Sequence, residues 1–265
     1  MPTAEDYPML KIVALNGFRV WVGEEVIPEA AWRQTKVVLL FKYLLVQKGL
    51  AVPQEELLKE FWPKMEPKAA RHNFAVTLYT LRSVLNKGKS NRRRPQRIVY
   101  ERGLCRFNAD LPYFYDAEAF ERRAEEGLGA LRTDKNAVAK EKLLAAHALY
   151  RTDFLTENLE ERWIIKERLR LSELYLRVLD GLAHVSLTLR EFAAAADYAA
   201  ELLQRDPVCE EAYRVLITAL AATGKRTEAL RRYKACQQML EQEFGLLPAP
   251  ETRRLYERLV SGDLV

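Results

Sequence analysis

Cysteine is scarce in this chain of 265 residues. Cys105, Cys209 and Cys236 are an odd number, widely spaced. That argues against a disulfide framework, suits a reducing cytoplasm and favours a structural role for each as a small buried hydrophobe. Long apolar runs are also missing. VVLLF, from Val37 to Phe41, falls far short of the ~20 residues a membrane-spanning helix needs. The opening MPTAEDYPML has neither a basic stretch nor an apolar one, so no signal peptide is expected. Histidine is as rare as cysteine. His72, His147 and His184 are not spaced with cysteines or acids as metal ligands. Gly88-Lys89-Ser90 imitates the end of a phosphate-binding loop, but Ser83 stands where that motif needs its first glycine, and a helix precedes it instead of a strand. Carboxylate pairs such as Glu125-Glu126 and Glu160-Glu161 fall on polar helix faces. No cysteine or serine sits in a nucleophile motif. These absences argue against an enzyme and give no reason to expect a cofactor or a metal.

What the chain does have is a large apolar fraction, 49%, beside 30% charged residues, enough for a sizeable core in one large or two ordinary domains. Its net charge of +5 is unevenly spread. Residues 1–108 hold 19 Lys and Arg against 10 Asp and Glu, whereas residues 109–265 hold 23 against 27. Between 68 and 106 there are 11 basic residues and one acid, Glu101. Positive potential this concentrated suits a polyanionic partner, although a solvated loop gives the same charge count.

In the first half, residues 10–15 and 18–22 are rich in β-branched and aromatic side chains, and Asn16-Gly17 between them signals a hairpin. A helix is predicted over 33–47, with Val37, Leu40, Leu44 and Leu45 at helical spacing. A shorter helix follows Pro53 and ends at Pro63. A third runs over 68–85, where Phe74, Leu78, Leu81 and Leu85 share one face. Its other side and flanks carry His72, Asn73, Val76, Thr77, Tyr79, Thr80 and Ser83, with Arg82 at the edge. Thr, Asn and Arg can hydrogen-bond base edges or phosphates, and Val can meet a thymine methyl group. The segment NKGKSNRRRPQR has no apolar residue. RIVY and LCRF then flank a turn at Glu101-Arg102-Gly103 and read as a short hairpin. Closely linked helices followed by a hairpin describe a winged helix-turn-helix, its third helix suited to the major groove and its wing to the backbone or minor groove.

From residue 116 the pattern is helical, with helices predicted over 117–131, 136–150, 162–189, 191–204, 210–222, 227–244 and 251–260. A 34-residue self-similarity runs through it. Ala195, Ala199 and Leu202 match Ala229, Tyr233 and Cys236, while Leu179, Leu182 and Ala183 match Tyr213, Leu216 and Ile217. That is the tetratricopeptide period, in which helix pairs stack into a superhelix with a groove. The predicted fold class is mainly α: a winged helix-turn-helix over 1–108, then an all-α tetratricopeptide-like domain over 109–265.

At this point a family resemblance is visible. RHNFAVTLYTLRSVL resembles the recognition helix of OmpR-type winged-helix domains, and IVYERGLCRF resembles their wing. LYRTDFLTENLEERWIIKERLRLSELYLRVLDGL, DPVCEEAYRVLITALAATGKRTEALRRYKACQQML and EQEFGLLPAPETRRLYERLV resemble the bacterial transcriptional activator domain. Together they look like the SARP (antibiotic regulatory protein) group. The resemblance implies a cytoplasmic transcriptional regulator, usually an activator, that binds promoter direct repeats in double-stranded DNA as a homodimer or as tandem protomers and contacts RNA polymerase. It implies no membrane partner. By similarity the DNA-contacting positions are His72, Asn73, Val76, Thr77, Thr80 and Arg82, with Arg102 in the wing. Tyr79 joins them on the same face, and Lys68, Arg71, Arg92, Arg93, Arg94 and Arg102 supply attraction to phosphates. Family recognition helices often carry arginine where Thr80 stands, so the base preference does not carry over. The rival reading is a tetratricopeptide-like adaptor for a peptide or protein, its winged helix without DNA binding.

Overall fold

A computed structural model of the chain describes residues 7–32, 34–86 and 96–263. The basic residues Arg92, Arg93 and Arg94, and the Gly88-Lys89-Ser90 triplet, lie outside the described residues. The chain divides into two compact units: Met1–Asp116 with Phe154–Arg168, and Ala117–Asp153 with Leu169–Val265.

The first unit opens with strands β1 (Leu10–Val13), β2 (Arg19–Val22) and β3 (Glu25–Val26). β1 and β2 form an antiparallel pair with Leu10 opposite Val22 and Ile12 opposite Val20. The alternation is what buries these four on one face while Lys11 and Arg19 project outward. Gly17 takes a left-handed φ of 71° in the connection, the conformation glycine tolerates best. A 3-10 turn over Glu29–Trp32 leads into helix α1 (Thr35–Val46), which is buried almost all round. Phe41, at its centre, stacks on Trp32 at 5.9 Å and meets Phe18 and Phe107 edge-on or tilted at 6.2 Å, within the range in which aromatic pairs add to area burial.

A short strand, β4 (Val52–Pro53), precedes α2 (Gln54–Phe61) and α3 (Pro67–Leu85). Pro67 occupies the first turn of α3, where its missing N–H costs nothing. The hairpin β5 (Ile98–Glu101) and β6 (Leu104–Phe107) follows, with β4 on its free side in the order β4-β6-β5. Strand β7 (Tyr113–Tyr115) then returns to the first sheet parallel to β1, giving the order β3-β2-β1-β7. A parallel partner needs a long crossover, which α1 to β6 supply. The sequence pattern anticipated the three helices, the first hairpin and the wing. It did not reveal β4 or β7, which are two and three residues long.

The segment Phe154–Arg168 belongs to this unit by specific bonds. Leu155 N–H donates to the Ala14 carbonyl at 3.0 Å. The ammonium of Lys42, only 4% exposed on α1, donates to Glu157 at 2.8 Å and to Asn158 at 2.5 Å. Burial pushes the Lys42 pKa down, and the Glu157 carboxylate opposes that shift. Trp163 sits edge-on to Tyr43 at 5.2 Å. The Arg168 guanidinium donates to the carbonyls of Phe154, Leu155 and Asn158, which fixes the loop that carries Glu157.

The second unit is helical: α4 (Asp116–Leu131) from its second residue, α5 (Asn136–His147), α6 (Arg162–Thr188) from Leu169, α7 (Phe192–Arg205), α8 (Glu210–Ala222), α9 (Arg226–Phe244) and α10 (Pro250–Ser261). The 34-residue matches land on packed positions. Ala195, Ala199 and Leu202 of α7 are buried, as are their counterparts Ala229, Tyr233 and Cys236 of α9. α8 packs between α7 and α9, and α10 closes on α8 and α9, so each helix covers an apolar side that its pair alone would leave open. Small residues set the closeness of the earlier helices. A Cβ on Gly127 would lie 2.7 Å from Leu143 Cγ, and one on Gly181 would lie 2.9 Å from Leu131 Cδ1.

Candidate nucleic-acid interface

The site is built on α3 and the β5–β6 hairpin. Phe74, Leu78, Leu81 and Leu85 turn one side of α3 into the core, as their spacing predicts. Phe74 packs edge-on to Tyr100 of β5 at 5.3 Å, so the core side of the helix holds the base of the hairpin. Two bonds anchor the hairpin to the start of α2: Gln54 N–H donates to the Gly103 carbonyl at 2.8 Å, and Tyr100 Oη donates to Gln54 Oε1 at 2.9 Å. Arg102 and Gly103, at the tip, both have positive φ (51° and 77°), as the two central residues of a type I′ turn require. The turn leaves the Arg102 side chain exposed.

Apart from Thr77, the predicted site residues of α3 separate into three groups. Lys68, His72, Val76 and Tyr79 are exposed and follow one another four, four and three residues apart, with partly exposed Ser83 four further on, so they make one outward row along α3. Tyr79 is 67% exposed and Val76 42%. Asn73 and Thr80 flank this row, each with a donor turned back onto its own helix or the turn before it. Asn73 Nδ2 donates to the Ala69 carbonyl at 3.0 Å and reaches Met65 Sδ at 3.3 Å, and Thr80 Oγ1 donates to the Val76 carbonyl at 2.9 Å. On the other flank, Arg71 is exposed beside a cleft of about 350 Å³ between α2 and α3 that Leu58, Lys59 and Trp62 also line. Arg82 Nε donates to the Ile98 carbonyl at 3.0 Å and so ties the helix to the wing strand.

Thr77 departs from the expectation. It is 3% exposed and lies with Ala70, Phe74 and Leu81 on the packed side of α3, so it belongs to the core and not to the outward row. A threonine can be buried in a helix because its hydroxyl can bond the preceding turn, and the residue type alone conceals this.

Arg97 is the residue that sequence reasoning missed. It closes the basic stretch, yet it is 3% exposed and donates to the carbonyls of Pro112 at 3.2 Å and of Pro8. Burial lowers its pKa to about 10. Its charge serves the joint between the first sheet and the wing and is withdrawn from any partner. The signal was the apolar Ile98 directly after it.

The second unit carries a groove of about 470 Å³ lined from three alternate helices: His184 and Leu187 of α6, Arg214 and Val215 of α8, and Leu255 and Arg258 of α10, among others. His184 lies 3.2 Å from Asp180 and 3.1 Å from Glu211, and the hydrogen bond to Asp180 raises its pKa. No three acid, histidine or cysteine side chains among the described residues gather as a metal site would need. No helix of the described residues is long and apolar enough to cross a membrane.

Comparison with known proteins agrees with this architecture. Regulatory protein DnrI of Streptomyces peucetius is 26% identical over 226 residues, 84% of this chain and 83% of the relative. Regulatory protein AfsR of Streptomyces griseus is 25% identical over 261 residues, 96% of this chain but 25% of that protein's length. Transcriptional regulator RedD of Streptomyces coelicolor is 24% identical over 233 residues. Among solved structures, EmbR of Mycobacterium tuberculosis, in complex with a low affinity phosphopeptide, superposes with a TM-score of 0.77 over 97% of this chain and 65% of its own, at 18% identity, a likeness of fold. The family described as bacterial transcriptional activator domain matches residues 115–260. That match covers more than half of the sequence, and the chain belongs to this family of SARP-type transcriptional regulators.

Proposed function

We propose that the first unit binds double-stranded DNA sequence-specifically, with α3 in the major groove and the β5–β6 wing against the backbone or minor groove, and that the protein activates transcription from promoter direct repeats. The observation that carries this reading is the outward row of α3 beside an exposed, rigidly held Arg102. A helix fits the width of the major groove, and a row without a continuous run of lysine and arginine can approach base edges. Lys68, Arg71 and Arg102 supply phosphate contacts, joined by Arg92, Arg93 and Arg94 from the segment that follows α3. The action is binding, not turnover. Protomers occupy adjacent repeats as a pair, and the alternate-helix groove of the second unit gives the regulator a protein-facing surface suited to the transcription machinery, RNA polymerase included.

The test is titration of the folded protein against a pool of duplexes at 50 mM salt, followed by selection of the bound fragments. Enrichment of a direct-repeat motif is the expected result, and failure to bind any duplex refutes the reading. Arg102→Ala leaves an exposed turn position and should weaken all duplexes alike. It should also reduce the slope of log affinity against log salt by about 1.

A further inference from the structure

The outward row of α3 holds no arginine, and its one lysine, Lys68, stands at its start. The commonest specific base contact in the major groove is a bidentate arginine or lysine on guanine. Along the row, between Lys68 at its start and Ser83 at its end, stand His72, Val76 and Tyr79. Arg82 gives its Nε–H to the Ile98 carbonyl, and Arg71 stands on the flank by the α2–α3 cleft, where the proposed function sets it on a phosphate. Asn73, which could pair with adenine, is turned back on Ala69 and Met65, and the Thr80 hydroxyl on Val76. What the middle of the helix offers a base edge is then the His72 imidazole, the two methyl groups of Val76, with the exposed Ala75 before it, and the ring and hydroxyl of Tyr79.

Resting on the reading of α3 as the recognition helix, we propose that Val76 and Tyr79 are the specificity-determining residues and that they select thymine, through contact with its C5-methyl group, at the centre of each half-site. The methyl group is the one apolar feature that any base pair displays in the major groove. An exposed valine pressed against it loses water on both sides, which is the form of readout this surface can supply. Lys68 and Arg102, at the two ends of the surface, then act on phosphates and fix the register of the helix without reading sequence.

The experiment uses the full chain and the duplex it selects. Each thymine is replaced in turn by uracil, which removes the methyl group and leaves the Watson–Crick edge unchanged. Wild-type protein should lose affinity about fourfold at one or two adjacent positions, the factor expected for one buried methyl group. Val76→Ala should lose a similar factor on the thymine duplex and no longer distinguish uracil from thymine there. Tyr79→Ala should flatten the neighbouring position. At the same step, a 5-methylcytosine should be bound more tightly than a cytosine. Val76 and Tyr79 are exposed, so both variants should keep the wild-type circular dichroism spectrum. A flat uracil scan with intact binding, or thymine discrimination that persists in Val76→Ala, overturns the assignment while leaving the DNA-binding reading in place. Absence of binding to any duplex overturns both.

Discussion

Arg82 is where two roles for the same residue can be separated by measurement. Family resemblance places it among DNA contacts, whereas the geometry makes it a tie between α3 and β5, with Nε 3.0 Å from the Ile98 carbonyl. Arg82→Met keeps the length of the aliphatic stem and removes the donor. A hydrogen bond from a charged donor contributes about 1.5–3 kcal/mol, and this one is only partly buried, which puts it near the lower end, about 1.5 kcal/mol. With a urea slope of about 2 kcal/mol/M, the unfolding midpoint should fall by about 0.7 M. The wing keeps its bonds from Gly103 and Tyr100 to Gln54, so the unit should still fold. Duplex affinity should drop by a similar factor for preferred and non-preferred sequences alike, because the wing is displaced and no base contact is lost. Urea denaturation followed by tryptophan fluorescence and binding to a panel of duplexes are the two assays. An unchanged midpoint together with a reordered sequence preference would refute the tie and make Arg82 a reader.

Other perturbations test the frame around the site. Asp116 is buried, and its carboxylate accepts the Ala14 N–H at 2.8 Å and the Leu15 N–H at 2.9 Å, so Asp116→Ala should remove the acceptor these two buried donors share and cost roughly 2–5 kcal/mol in denaturant unfolding. Gly127→Ala would set a Cβ 2.7 Å from Leu143 Cγ and 3.1 Å from the Leu143 nitrogen. Thermal unfolding should show a loss of about 1–3 kcal/mol, as for other overpacked cores. The His184 pKa is raised from 6.5 by Asp180, so its contribution to stability is complete below that value and fades as pH rises through the folded pKa. The melting-temperature gap between wild type and His184→Gln should therefore be widest below pH ~6 and narrow as the pH is raised.

The parts of this fold that are legible in sequence are those with local periodicity. Phe74, Leu78, Leu81 and Leu85 announce α3, and the match of Ala195, Ala199 and Leu202 to Ala229, Tyr233 and Cys236 announces the stacked pairs, because both patterns lie within about three turns of a helix or one repeat. β7 is not legible: three residues give no alternation to count, and its partner β1 lies about a hundred residues away in the chain. Thr77 and Arg97 mislead for a related reason. Polarity predicts exposure only when no partner is waiting, and the carbonyls of Pro8 and Pro112 that receive Arg97 are fixed by tertiary structure. The outward row was legible as a face. That Asn73 Nδ2, Thr80 Oγ1 and Arg82 Nε make bonds within the protein was not, since those bonds depend on rotamers and on the position of β5.

The strap Phe154–Arg168 carries a consequence for biosynthesis. Lys42 is buried early in the chain, but Glu157 and Asn158, which receive its ammonium, and Arg168, which holds their loop, are translated more than a hundred residues later. A nascent chain that has delivered α1 to β7 therefore holds a cation facing an unfilled acceptor site, and the first unit completes its polar core only after α4 and α5 have emerged. The order of synthesis thus makes the maturation of the proposed DNA-binding unit wait on the unit that defines the family.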